Sequence, residues 1–319
     1  MDGALVGREY ADHLTDQDLK LLISAVSGGE RSGEAWAGRT QPGAIQLPAA
    51  ADAGFLRHDP AAIPGLLSDP RVFDAVFGWG DGAQAGPGRL ALPGQAAPVS
   101  PFLTFAVAVH RSAAELASMD HVTERTGPRQ RVPLFDAPAL RDFLGSPDRR
   151  FFLAELLGSF TRVASGRYRV RGGGRMRTRR FSELDPVRLA GLLDSVPDAE
   201  RPGVYRRLGD VSLFLSGVFP DYATLYGVGP AQVARLLRAA RVPAEQHAQL
   251  ATVPAIDLLE QLGARWYRAA CGLAPVRTAR LDVVAEVAGR FRQARRVLNH
   301  IADRYLFSSD HPWFAPPTP

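Results

Sequence analysis

The sequence predicts a mainly α-helical protein: an irregular multi-helix domain with one short arginine-rich β-hairpin, preceded by a less regular region rich in Gly, Pro and Ala. Apolar residues recur at the spacing of helix faces. Several helix starts carry Asp or Ser followed at once by proline. Strands do not alternate with helices as a doubly wound sheet requires. We therefore place an N-terminal region at residues 1–98 and a helical domain at residues 99–319.

The N-terminal region contains one strong helix signal. Thr15 is a capping residue followed three positions later by Asp18, and Leu19, Leu22 and Val26 then share one face. This pattern predicts a helix from Asp16 to about Ser27. Two shorter helices are expected after Asp59 and Asp69, around residues 61–67 and 70–77. Residues 28–54 and 78–101 have the Gly/Pro/Ala composition of loops.

The second part of the chain predicts a succession of longer helices. Their expected positions are 101–119, 147 to about 164 after the cap Ser146, a helix after the cap Asp185, then about 199–219, 230–240, 243–250, 255–271 and 278–306. The apolar positions that these helices share predict one common buried core. Its expected members are Phe151, Leu153, Leu156, Leu157, Leu213, Phe214, Leu259, Leu262, Phe291, Leu298 and Ile301.

The charge distribution is more informative than the net charge of +5. Of the 38 basic residues, Lys20 is the only lysine, so the basic isoelectric point partly reflects an arginine-rich coding bias. Residues 1–100 nevertheless hold 7 basic and 12 acidic residues, whereas residues 101–319 hold 31 and 21. This asymmetry favours an anionic partner for the second part, either nucleic acid or an acidic protein.

Targeting and cysteine patterns predict a cytoplasmic location. No apolar run approaches the roughly 20 residues of a membrane-spanning helix, and no secretory signal pattern is visible. The single cysteine, Cys271, lies in an apolar helical context and is expected to be a buried structural thiol. The oligomeric state is left open by these patterns.

The segment from Arg162 to Arg180 holds eight arginines and no acidic residue. Three glycines, 172–174, separate two alternating runs and predict a hairpin at about 167–180. With those glycines as the loop, residues 171 and 175 would face each other across it. One face would then hold Tyr168, Val170, Met176 and Thr178, packed on the helical core. The opposite face would hold the predicted anion-binding residues Arg167, Arg169, Arg171, Arg175, Arg177 and Arg179.

Six arginines on one ribbon face repel one another, so the predicted arrangement requires a source of negative charge. Guanidinium groups bind phosphate in a bidentate fork, which favours an external polyanion. The alternatives are a solvated face or pairing with acidic residues elsewhere in the chain.

A second glycine turn lies between predicted helices, at residues 227–230. With the apolar Leu236 beyond it, the stretch resembles the hairpin of helix-hairpin-helix modules. That resemblance implies that Gly227 and Gly229 help to present backbone N–H groups to a nucleic-acid phosphate. It is confined to this turn, since Tyr226 and Val233 stand where such modules usually carry proline and alanine.

Catalytic residues are not identifiable from the sequence, and no cofactor or metal is predicted. The chain has no nucleophile elbow, phosphate loop or dinucleotide glycine pattern. His300 and Asp303 share a helix face, and His110, Glu115, Glu155 and Glu260 are the only partners they would have for a metal. We expect structural pairs with arginine at Glu155 and Glu260, and a partly buried, hydrogen-bonded His110.

Three functions therefore remain compatible with the sequence. The first is a helical adaptor or regulatory protein that docks another macromolecule through a basic surface. The second is a nucleic-acid or polyanion-binding protein that uses the Arg167–Arg180 hairpin. The third is an enzyme with an apolar pocket and unidentified catalytic residues, so whether the protein is an enzyme stays open.

Overall fold

The structure, a computed structural model, describes residues 3–27, 52–78, 99–127, 130–172, 175–221 and 229–307, with the backbone course alone for the strand residues between 167 and 181. Across these ranges the fold is mainly α-helical, which confirms the predicted class. None of the helices in the described part of the chain is both long and apolar enough to cross a bilayer.

Fifteen helices lie within the described ranges. In order they are α1 (Gly3–His13), α2 (Asp16–Ser27), α3 (Ala53–His58), α4 (Ile63–Leu67), α5 (Pro70–Phe77), α6 (Pro101–Leu116), α7 (Ala137–Gly145), α8 (Pro147–Ser159), α9 (Pro186–Ala190), α10 (Arg201–Val218), α11 (Pro230–Ala239), α12 (His247–Leu250), α13 (Ala255–Leu273), α14 (Ala279–Gly289) and α15 (Phe291–Ile301). Short 3-10 turns lie at Pro60–Ala62, Gly191–Asp194, Asp198–Glu200 and Ala244–Gln246, and a π-helical turn, Ala302–Leu306, follows α15.

Four strands form two antiparallel hairpins. They are β1 (Val122–Gly127) with β2 (Gln130–Leu134), and β3 (Ser165–Gly172) with β4 (Arg175–Ser182). The second hairpin was predicted, whereas the first was not. Its alternation is hidden because a charged residue, Glu124, occupies an inward position of β1.

The described residues divide into two compact units. The first unit comprises those of 1–120, 144–158 and 304–313, and the second comprises those of 121–143, 159–303 and 314–319. This division differs from the one drawn at residues 98 and 99, because α6 belongs with the N-terminal helices rather than with the later ones.

The first unit is organised by helix caps. Thr15 Oγ1 accepts a hydrogen bond from the Asp18 amide at 3.1 Å, and Asp18 Oδ2 accepts one from the Thr15 amide at 2.9 Å. The predicted cap of α2 is thus confirmed. Asp18 Oδ1 also accepts from the Ser100 amide at 3.0 Å, and Ser100 in turn caps α6. Helix α1, which was not predicted, buries Val6 and Tyr10 one turn apart.

The second unit is built on α10, which packs against α13 and α15. Two glycines allow the close approach. A Cβ atom on Gly209 would lie 2.3 Å from the Tyr267 ring, and one on Gly263 would lie 2.3 Å from the Phe291 ring. The single helix expected over residues 278–306 is interrupted at Arg290, whose backbone is not helical, so that α14 and α15 are separate.

All eleven predicted core residues are buried, but they do not share one core. The four on α8, at positions 151, 153, 156 and 157, lie in the first unit, and the other seven lie in the second. Helical periodicity identifies an inward face without identifying what covers it, which is why burial was predicted correctly and the common core was not.

Candidate functional site

The backbone register of β3 and β4 differs by one residue from the predicted register. Gly172 pairs with Arg175, Arg171 with Met176, and so on to Ser165 with Ser182. Only positions 173 and 174 therefore separate the paired ends, rather than the three glycines expected.

This register overturns the prediction that six arginines occupy one face. Residues directly paired across an antiparallel ladder lie on the same face, and a shift of one residue moves a strand's side-chain positions to the opposite face. One face of the ribbon thus contains positions Arg167, Arg169, Arg171 and Arg180 together with Met176 and Thr178. The other contains Arg175, Arg177 and Arg179 together with Tyr168 and Val170.

The two units carry opposite net charge. The sequence ranges of the second unit hold 27 arginines and 16 acidic residues, a net charge of +11. Those of the first unit hold 11 basic and 17 acidic residues, a net charge of −6. The charge asymmetry seen along the sequence is therefore sharper when it is counted by unit, and the basic hairpin belongs to the cationic one.

Most carboxylates of the second unit already have an arginine partner outside the hairpin. Eleven of its 16 acidic residues lie within salt-bridge distance of such an arginine: Glu124, Asp136, Asp142, Glu183, Asp185, Asp198, Asp210, Asp221, Glu260, Asp282 and Asp303. Because these carboxylates are already paired, fewer of them are left in the unit to neutralise the arginines of β3 and β4.

The largest group of these ion pairs is buried beside β1. Arg295 Nη1 donates to Glu124 Oε1, and Arg295 Nε donates to Glu260 Oε2 at 3.0 Å. Arg292 donates to Glu260 at 2.7 Å, and Arg296 bonds both Glu124 and Asp136. Three arginines meet three carboxylates, so the group is neutral and acts as an internal anchor. Sequence analysis missed it, although Arg292, Arg295 and Arg296 recur at the three- and four-residue spacing of one helix face.

The predicted glycine turn is described only in part. Gly227 lies outside the described residues. Gly229 precedes α11, where its amide donates to Gln232 Oε1 at 2.9 Å and its carbonyl accepts from the amides of Gln232 and Val233. Pro230 occupies the first helical position. This is ordinary helix capping, and the phosphate-binding role of Gly227 and Gly229 stays a prediction.

His110 is the centre of a hydrogen-bond chain in the first unit. Its Nε2 atom lies 3.0 Å from Tyr10 Oη, and its Nδ1 atom lies 2.8 Å from Ser68 Oγ, which also donates to the Pro64 carbonyl. Burial, together with the nearby Arg150 guanidinium, lowers the pKa of His110 to about 3. The predicted hydrogen bonding of His110 is thus confirmed, while its side chain is fully buried rather than partly buried.

The side chains considered for a metal are separated and paired elsewhere. Asp303 binds Arg131 at 2.7 Å in the second unit, and Glu260 belongs to the anchor described above. In the first unit Glu115 pairs with Arg111 and Arg304, and Glu155 Oε1 lies 3.9 Å from His13 Nε2. No group of three or more His, Cys, Asp or Glu side chains in the described ranges is arranged to hold a metal ion.

Cys271 is half-buried on α13, where its Sγ atom lies 3.4 Å from the Leu281 carbonyl oxygen. Burial raises the pKa of this thiol, which keeps it protonated and weakly nucleophilic at neutral pH. The expected structural role is supported, although the side chain is less buried than the sequence suggested.

Comparison of the chain with protein-family models, curated proteins and solved structures finds no match.

Proposed function

We propose that the protein is a helical adaptor or regulatory protein whose second unit docks an acidic macromolecule through the basic β3–β4 hairpin. The observation that carries this proposal is the imbalance of charge in that unit: 27 arginines against 16 acidic residues, at least eleven of which are paired with arginines outside the hairpin. The seven arginines of β3 and β4 form the densest part of the excess.

The electrostatic reasoning is general. A stretch of arginines with little internal counter-charge is stabilised when an anionic partner neutralises it, because like charges on adjacent strands repel. Guanidinium groups bind carboxylate and phosphate equally well as bidentate forks, so either an acidic protein or a polyphosphate satisfies this requirement.

Binding of two labelled polyanions, heparin and poly-glutamate, tests the proposal. The wild-type protein is expected to bind in about 100 mM salt, with an affinity that falls as salt rises. The variant with Arg169, Arg171, Arg175 and Arg177 replaced by Ser is expected to lose most of this binding.

A matched variant controls for net charge alone. It replaces Arg188, Arg238, Arg277 and Arg280, four exposed arginines of the second unit outside the hairpin, by Ser. We expect it to bind nearly as tightly as the wild type. Equal loss in the two variants, or no wild-type binding to either polyanion, would reject the hairpin as a docking surface.

A further inference from the structure

We infer that the partner of the β3–β4 hairpin is duplex nucleic acid, and that the ribbon enters its major groove. This inference rests on the proposed docking function and names the class of partner. The observation behind it is the register of the two strands, which distributes arginine positions over both faces of the ribbon rather than one.

The distribution is nearly even. Positions 167, 169, 171 and 180 fall on one face, and positions 175, 177 and 179 fall on the other. The two faces also share the apolar positions, with Met176 on the first and Tyr168 and Val170 on the second. A ribbon that packs one face on its own core and presents the other to a partner has apolar residues on the first face and charged residues on the second. The strands β3 and β4 do not show this separation.

A ribbon of this kind suits a groove with negative charge on both sides. The major groove of a DNA duplex is about 12 Å wide and admits a two-stranded β-ribbon. Phosphates line both of its edges, and guanine O6 and N7 on its floor are preferred ligands of arginine. Arginines on both faces can therefore all find anionic or acceptor groups.

A flat acidic protein surface would use the ribbon differently. It would contact one face, and the arginines of the other face would remain without neutralisation.

Two variants that each lose three positive charges distinguish a nucleic-acid duplex from a flat acidic protein surface. The first replaces Arg167, Arg169 and Arg171 by Gln, and the second replaces Arg175, Arg177 and Arg179 by Gln. Each is titrated against a fluorescent DNA duplex over a range of salt concentrations. The wild-type slope of log affinity against log salt is expected at about −4 to −5, for about five phosphate contacts.

Groove insertion predicts that both face variants lose affinity to a similar extent. Each should reduce the steepness of the salt slope by about 2 to 3, because each lost phosphate contact removes about one counterion. The exposed-arginine control, Arg238, Arg277 and Arg280 to Gln, should leave the slope unchanged. Unlabelled duplex should compete better than single-stranded DNA or poly-glutamate.

Several outcomes would overturn the inference. Loss in one face variant with wild-type binding in the other indicates docking of a single face, and equal competition by duplex and poly-glutamate indicates a general polyanion site. Either result leaves the proposed docking function intact, whereas failure to bind any polyanion rejects both. Should a Gln variant fold poorly, the corresponding Lys variant retains the charge and must retain the wild-type slope if phosphates are the ligands.

Discussion

We propose that the two hairpins of the second unit use arginine in different ways. In β1–β2, Arg125 lies directly opposite Arg131, and each has an acidic partner from the same unit: Asp221 at 3.8 Å and Asp303 at 2.7 Å. In β3–β4, Arg167 lies opposite Arg180 within a segment, residues 162–182, that contains no acidic residue. The same unfavourable cross-strand pair is thus neutralised internally in one hairpin and is proposed to be neutralised by a partner in the other.

Arginine on a strand therefore does not by itself indicate a ligand. We propose that the supply of counter-charge distinguishes the hairpins. Helix α15 provides β1 with Asn299 and with the Arg295 cluster around Glu124, so substitutions there should affect folding. Substitutions in β3–β4 should affect binding instead.

The largest effect on stability is expected from Arg295→Met. This change leaves Glu124 and Glu260 buried and short of a counter-charge, and loss of one partner of a buried ionic group typically costs about 3 to 5 kcal/mol. Chemical denaturation measures the change in the free energy of unfolding. Arg292→Met, on the same helix with an exposed side chain, is the control and should cost less than about 1 kcal/mol. Equal costs for the two variants would mean that burial of the pair is unimportant.

Asn299→Ala should have the next largest effect. The Asn299 amide donates to the Arg125 carbonyl at 2.9 Å and accepts from the Arg125 amide at 2.8 Å, so alanine leaves two backbone groups of β1 without this partner. We expect a loss of about 2 kcal/mol, with faster hydrogen exchange at the amide of residue 125. Gln293→Ala on the same helix serves as the control, and unchanged exchange in Asn299→Ala would show that β1 is held by other contacts.

Asp303→Ala should have a smaller effect. Its partner Arg131 is half-exposed, and exposed ion pairs typically contribute about 0 to 1 kcal/mol, with a bidentate pair such as this one expected at the upper end. A double-mutant cycle with Arg131→Gln measures the coupling directly. A coupling energy above about 2 kcal/mol would mean that this pair contributes as much to stability as a buried ion pair does.

The smallest effect on stability is expected from the four-fold Ser variant of β3–β4. If Arg169, Arg171, Arg175 and Arg177 serve a partner, their removal should change the free energy of unfolding by less than about 0.5 kcal/mol, and relief of repulsion can even raise it. Thermal and chemical unfolding would detect a larger loss. Such a loss would assign these arginines a structural role, like that of the β1–β2 anchor.

Local chemistry explains which features could be predicted from sequence. Caps such as Thr15 and Asp185 depend on neighbouring residues, and their helices start where predicted. The β1–β2 hairpin was missed because its inward residue Glu124 is charged and depends on Arg295, which lies 171 positions further along the chain. The register of β3–β4 was missed because Gly172 can serve either as a loop residue or as the last paired residue of a strand.

The candidate site was predictable only as a segment rich in arginine. Its position on the ribbon faces required the register, and the pairing of the surrounding carboxylates required the packing of α10, α13 and α15. Neither follows from the spacing of residues within the hairpin, since most of the carboxylate–arginine pairs join distant parts of the chain.

The salt concentration at which two double variants elute from immobilised heparin tests the central claim most directly. Arg167 and Arg180 are changed to Gln in one variant, and Arg125 and Arg131 in the other, so each loses one cross-strand arginine pair and the same charge. We expect the first variant to elute at clearly lower salt than the wild type, and the second to elute at nearly the wild-type salt while unfolding more readily. Equal shifts in the two variants, or a shift confined to the Arg125/Arg131 variant, would contradict the assignment of the β3–β4 arginines to an external anionic partner.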